Sequence, residues 1–195
     1  MIRIHSKLPP VITEIQRYNF KYFLYQDMDM NIIACRNPHP RPDEFDDFIH
    51  IVYKLENKYI EHVYPCTTDA GKYWMKNPMR ADGTAVLMAP FQYRSAFTFG
   101  LHKGSYKCLV QRKPIKVWRD NHGDLEIEPI NEGTAHAIQV HRASSNERST
   151  NVGKWSAGCI VVQTDYADFI KVLEQQERFL GSSVFSVTLL EGTFF

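Results

Sequence analysis

The chain has 195 residues, 44% hydrophobic and 23% charged, which is long enough to bury a core of its own and ordinary for a globular protein. Its formal charge of +1 leaves no electrostatic footprint for nucleic acid or anionic lipid, and no apolar run approaches the roughly 20 residues that span a bilayer. The aromatic share, 13%, favours a β-rich fold, because aromatic rings fit half-buried pleated surfaces.

Taken in chain order, β-rich runs alternate with polar connections. The N-terminal MIRIHSKLPPVITEIQ lacks the apolar stretch and small-residue cleavage site of a secretion signal. The expectation is a cytoplasmic chain, or one released by lysis or a phage, with a processed precursor as the open alternative. Pro9 to Asn19 fits either a short helix or an extended arm. Asn37 to Asp47, with three prolines and the carboxylates Asp43, Glu44, Asp46 and Asp47, reads as a solvated acidic loop without EF-hand spacing. FIHIVYKLENKYIEHVYP follows, two β-rich runs around Glu56-Asn57-Lys58 that predict a hairpin. Thr67 to Gly83 is a long connection punctuated by Gly, Pro and Asn. Thr84 to Gly104 is an apolar and aromatic run broken at Pro90 and Gly100.

YKCLVQ and IKVWRD read as strands, DNHGD as a turn, and LEIEPI as the returning strand. HAIQVH is a strand ending at His141, Arg142 to Lys154 a polar loop, and GCIVVQ a short buried strand. Asp165 to Gly181 is the one convincing helix. Asp165 suits its N-cap, Phe169, Ile170, Leu173 and Leu180 fall near one face, and Gly181 suits its C′ position. VFSVTLL closes the chain. The sum is a mainly β, α+β single domain over 1–195. Residues 1–45 form an N-terminal extension or accessory segment, and 46–195 the β core.

The four cysteines, Cys35, Cys66, Cys108 and Cys159, form no Cys-x-x-Cys pair and are unevenly spaced. They read as reduced thiols, the first three as small buried hydrophobes. Cys159 invites a second reading beside that one. A cysteine nucleophile needs a base, donors for an oxyanion, and room for substrate. Gly158 lets backbone approach a substrate, its amide and that of Cys159 can face the site, and His141 ends a strand that can lie beside GCIVVQ. An imidazole there lowers the thiol pKa. Trp155 is placed to flank a cleft. Tyr93, Tyr73 and Trp74 read as core or rim residues, with Tyr93 retained as a candidate substrate contact.

The segment from His141 to Val162 resembles the catalytic core of the L,D-transpeptidase family, cysteine enzymes that cross-link peptidoglycan stem peptides. The family pattern is a strand-end histidine, a variable loop, then Ser/Thr-His-Gly-Cys followed by an apolar residue and Asn or Arg. Here His141 and Cys159 stand 18 positions apart, and Ser156, Gly158, Cys159 and Ile160 match. The resemblance implies an L,D-transpeptidase-like β-sandwich, with Cys159 as acyl-accepting nucleophile and His141 as general base. It further implies that the Arg142 carbonyl orients the imidazole and that the Gly158 and Cys159 amides form an oxyanion hole. Ser156, Ala157 and Trp155 would border the substrate, a stem peptide, and no cofactor or metal is implied. Two positions depart from the pattern. Ala157 replaces the second histidine and Val161 the Asn or Arg.

Two other classes stand beside this reading. His136, His141 and Cys159 are the ligand types of a zinc-dependent amidase, although residues five apart on one strand point to opposite faces. A non-catalytic binding or structural module would keep the scaffold, and Ala157 and Val161 favour it. His102 and His122 lie next to glycines and read as turn histidines, with pocket lining as the alternative for His102, because the aromatic run before it is unusual. Nothing in the sequence sets an oligomeric state.

Overall fold

A computed structural model describes residues 1–41, 43–124, 131–146, 148–192 and 194. The elements are β1 (Ile2–His5), α1 (Pro10–Arg17), β2 (Asn31–Arg36), β3 (Asp47–Leu55), β4 (Lys58–Thr67), α2 (Lys72–Lys76), β5 (Thr84–Val86) and β6 (Phe91–His102). They continue with β7 (Tyr106–Gln111), β8 (Ile115–Asp120), β9 (Asn131–Ala135), β10 (Gln139–Arg142), β11 (Ile160–Val162), α3 (Tyr166–Leu180) and β12 (Val184–Glu191). The protein is mainly β with one long helix near its C-terminus. Among the described residues no helix is long and apolar enough to cross a membrane.

The sandwich expected from the resemblance is replaced by a closed barrel. Eight strands follow one another in the order β4-β11-β10-β7-β6-β12-β2-β3, and β3 pairs back onto β4 to close the ring. The reason lies in β4. One edge takes β3 along its length, while the other is shared: β1 pairs with Tyr59 to His62, and β11 with Cys66 and Thr67. A strand long enough to serve three partners leaves no free edge at the seam. The β3–β4 hairpin turns on Glu56 and Asn57, both at positive φ (47° and 62°), as a two-residue turn requires.

Residues 1–45 are integral to this barrel rather than appended to it, because β2 is one of its staves. Pro9 to Asn19 is resolved as helix α1, whose Val11, Ile12 and Ile15 pack on Ile33, Val52 and Leu190 in a cluster of their own. The main core fills the barrel with Phe97, Leu109, Val140, Phe185 and their neighbours, and α3 adds Phe169, Val172 and Leu173 to it. The side chain of Asp165 makes no capping bond to the helix, but its carbonyl accepts from the Phe169 amide, and Gly181 ends α3 at φ 66°.

A second sheet, β5-β8-β9, lies beside the barrel. The long connection predicted from Thr67 to Gly83 contains the single turn α2. The strand predicted over HAIQVH starts only at Gln139, because residues 136–138 carry the chain from β9 in the small sheet to β10 in the barrel. LEIEPI lies outside the described residues.

Candidate active site

Strands β10 and β11 are parallel neighbours, with Val140 opposite Ile160 and His141 opposite Val161. Val140, Ile160 and Val162 belong to the barrel core. Alternation along a strand then sends His141, and Cys159 one residue before β11, to the outer face together. Both line one cleft of about 600 Å³, walled by the small sheet and by the β6–β7 hairpin. Cys159 is the half-buried thiol of the four, while Cys35, Cys66 and Cys108 are buried.

His141 is 2% exposed, and its Nδ1 lies 2.8 Å from the Arg142 carbonyl. A carbonyl oxygen only accepts, so the neutral ring carries its proton on Nδ1 and its lone pair on Nε2. The ring stacks on His102, centroids 4.4 Å apart at 28°, and His102 Nδ1 is hydrogen-bonded to Gln139 Oε1. Burial pushes the His141 pKa down to about 4, the Arg142 carbonyl opposes that, and positive charge at His102 and Lys103 adds to it.

Burial likewise pushes the Cys159 thiol up to about 11, against the Gln139 amide and the Lys103 charge, which favour the thiolate. Its Sγ contacts the Ala137 carbonyl at 3.9 Å. The resting site therefore holds a neutral thiol and a neutral imidazole. The thiolate expected from an adjacent imidazole is absent at neutral pH, because desolvation of the sulfur outweighs the nearby donors.

The loop before Cys159 is built from inside. Ser156, fully buried, donates from Oγ to the Cys159 carbonyl (2.8 Å) and accepts from the Gly158 amide (3.1 Å). Gly158 sits at φ 109°, and a Cβ there would lie 2.4 Å from the Ala85 carbonyl oxygen. Glycine is thus required both by conformation and by close approach. Two expectations change accordingly. Ser156 shapes the loop and lies behind the cleft, and the Gly158 amide is engaged by Ser156 rather than aimed at an oxyanion. Ala157 and Trp155 do border the cleft, with Trp155 45% exposed at its rim beside Trp74.

The Arg142 carbonyl meets His141 as the resemblance implies, while its guanidinium lies over the Tyr106 ring at 4.2 Å and faces a separate groove. Tyr93 is not a substrate contact here. It is 3% exposed in the core, and its hydroxyl accepts from the Met88 amide at 2.8 Å. His136 borders the cleft, but among the described residues no three His, Cys, Asp or Glu side chains gather as metal ligands, so His136, His141 and Cys159 form no zinc set. His122 lies in its turn, 3.6 Å from Asp120.

Residues the sequence did not single out also hold the site. Asp43 Oδ1 accepts from the amides of Lys72 (2.9 Å) and Gly153 (2.6 Å), and its carbonyl accepts from Val152 (2.9 Å). These bonds tie the loop that precedes Cys159 to α2. Gly71 completes the contact: its amide donates to the Ser156 carbonyl at 2.9 Å, and a Cβ there would lie 2.2 Å from the Gly153 oxygen. Asp47 is fully buried and accepts from the Asn37 amide and from Thr68 through both amide and hydroxyl. The acidic run read as solvated is thus partly a structural knot. Comparison with protein-family models, with curated proteins and with solved structures finds no match.

Proposed function

We propose that this protein is a cysteine acyl transferase of the L,D-transpeptidase type, working on peptidoglycan stem peptides through a Cys159 thioester. The observation that carries the reading is the meeting of His141 and Cys159 in one cleft, on the same face of paired strands, with His141 Nδ1–H held by a carbonyl and Nε2 left as the base. The chemistry follows from the neutral pair. As Sγ attacks the donor carbonyl, Nε2 takes the thiol proton. The C–N bond then breaks, and the imidazolium gives that proton to the leaving amine. An acceptor amine or water attacks the thioester next, loses its proton to Nε2, and releases the thiol as sulfur takes the proton back. An amine acceptor makes a transferase and water a hydrolase.

The high thiol pKa and the engaged Gly158 amide favour a second reading, an inert module on the same scaffold. Incubation with purified peptidoglycan, followed by mass analysis of the muropeptides, separates the two. New cross-links or trimmed stems that vanish in Cys159→Ala support the enzyme. Unchanged muropeptides with the native chain support the module.

A further inference from the structure

The Cys159 cleft is electrostatically one-sided. Arg80, Lys103, Arg119 and Lys154 line it, and among the described residues no Asp or Glu does. Arg119, on β8, is 5% exposed. Its terminal nitrogens are anchored to the backbone, one to the Thr134 carbonyl at 2.7 Å and the other to the Gly83 carbonyl at 3.4 Å. Its Nε makes no hydrogen bond among the described residues, and its ion-pair partner Asp82 stands 3.7 Å away. Asp82 is already held by Arg80 through contacts of 2.7 and 3.0 Å, so one half-exposed carboxylate serves two guanidiniums. Gly133 on β9 makes room for the buried cation, since a Cβ there would lie 2.9 Å from Nε.

A buried, undercompensated guanidinium costs folding free energy unless something else is gained. Across the cleft, Lys103 at the tip of the β6–β7 hairpin adds a solvent-facing charge that also acts on Cys159 and His141. We propose that the cleft selects an anionic ligand, a carboxylate carried close to the group that Cys159 attacks, and that Arg119 and Lys103 are its specificity-determining residues. The charge is supplied by β8 and a hairpin far in sequence from the Cys159 segment, where Val161 offers none. The assignment of Cys159 as nucleophile rests on the proposed function. The charge selectivity does not, and it can be tested without any natural substrate.

The test compares alkylation of Cys159 by iodoacetate and by iodoacetamide, read by peptide mapping of the native chain, with 2-mercaptoethanol as the neutral reference thiol. In both reactions the sulfur–carbon bond forms, iodide leaves and the thiol proton goes to buffer, so the reagents differ chiefly in charge. At low salt the iodoacetate-to-iodoacetamide rate ratio at Cys159 should exceed the reference ratio by about fivefold or more. It should fall toward the reference as ionic strength rises to about 0.5 M. Lys103→Gln should lower it about twofold, Asp82→Asn should raise it, and Arg119→Gln should lower it while Arg119→Lys restores it. Because Arg119 is buried and its variants can unfold, Lys103→Gln and Asp82→Asn decide the matter alone. A ratio at or below the reference, or one that neither of these variants moves, overturns the proposal. A preserved ratio in a protein that leaves peptidoglycan unchanged sinks the acyl-transfer reading and keeps the anion selectivity; turnover without the ratio does the reverse.

Discussion

Two pairs of histidines show how a partner decides what an imidazole does. In the first, His5 and His50 both bond to Glu61, each at 2.8 Å, with Arg3 at 3.7 Å. Burial alone would raise the Glu61 carboxyl, but the bonds and charge of His50 and His5 hold it below its ordinary value. That cluster fastens β1 to the barrel through one buried carboxylate. In the second, His102 stacks on His141, and no carboxylate lines the cleft around them among the described residues. There the ring is driven neutral, with only a carbonyl to fix its tautomer. The same residue type ties strands together through a carboxylate in one place and is held as a neutral ring by a carbonyl in the other.

The two clusters should respond in opposite ways when each is disabled separately. If the acyl-transfer reading holds, His141→Ala removes the proposed base and should lower turnover on peptidoglycan by about a thousandfold, with the barrel still folded by circular dichroism. Glu61→Ala should do the opposite. It leaves buried His50 without its carboxylate and should cost about 3 kcal/mol in urea unfolding, while the activity of the folded fraction stays near native. The sign with pH follows from the lowered Glu61 pKa. Its contribution is present above the unfolded carboxyl pKa of about 4.3 and is lost as pH falls through the lower folded value. The native protein should therefore lose stability at acid pH more steeply than Glu61→Ala.

A smaller effect sharpens the second cluster. His102 supports the His141 ring and, when protonated, depresses its pKa. His102→Phe keeps a stacked ring without charge, and His102→Ala removes both. On the proposed acyl-transfer reading turnover needs neutral His141, so kcat/KM should fall as pH drops through about 4 in the native protein. In His102→Phe that acid limb should move upward, with the neutral-pH rate held within about threefold. His102→Ala should show the same shift plus a loss of about tenfold from a misplaced ring. If both variants keep the native limb, His102 plays no part in setting the base.

Strand periodicity and turn chemistry made much of the scaffold legible. The Glu56-Asn57 turn, the VFSVTLL strand and the Asp165–Gly181 helix are local events, fixed by residues within a few positions of one another. The pairing of HAIQVH with GCIVVQ was legible too, because a polar loop between two apolar runs allows parallel neighbours. Closure was not. Whether β3 and β4 form a barrel seam depends on β4 sharing one edge between β1 and β11, contacts about 60 and 100 residues away in the chain. Asp43 is the same case, since its partner Gly153 is 110 residues distant. The neutral state of the site was also hidden, because the pKa values of His141 and Cys159 are dominated by desolvation, which only the assembled walls supply.

The smallest effect tests how far the cleft depends on the wall behind it. Tyr93 reaches the site only through the chain: its hydroxyl holds the Met88 amide, two residues beyond β5, and Ala85 of β5 is the contact that makes Gly158 obligatory. Tyr93→Phe leaves the ring packed and deprives one buried amide of its acceptor, which should cost about 1 kcal/mol in urea unfolding. Because β5 is also held by its pairing with β8 along Thr84 to Val86, Ala85 should stay in place. Turnover and the Cys159 alkylation rate should then match the native values within about a factor of two. A larger fall in both, at unchanged fold, would mean that the Met88 bond positions β5 against Gly158, and that Tyr93 acts on the site as a positioning residue after all.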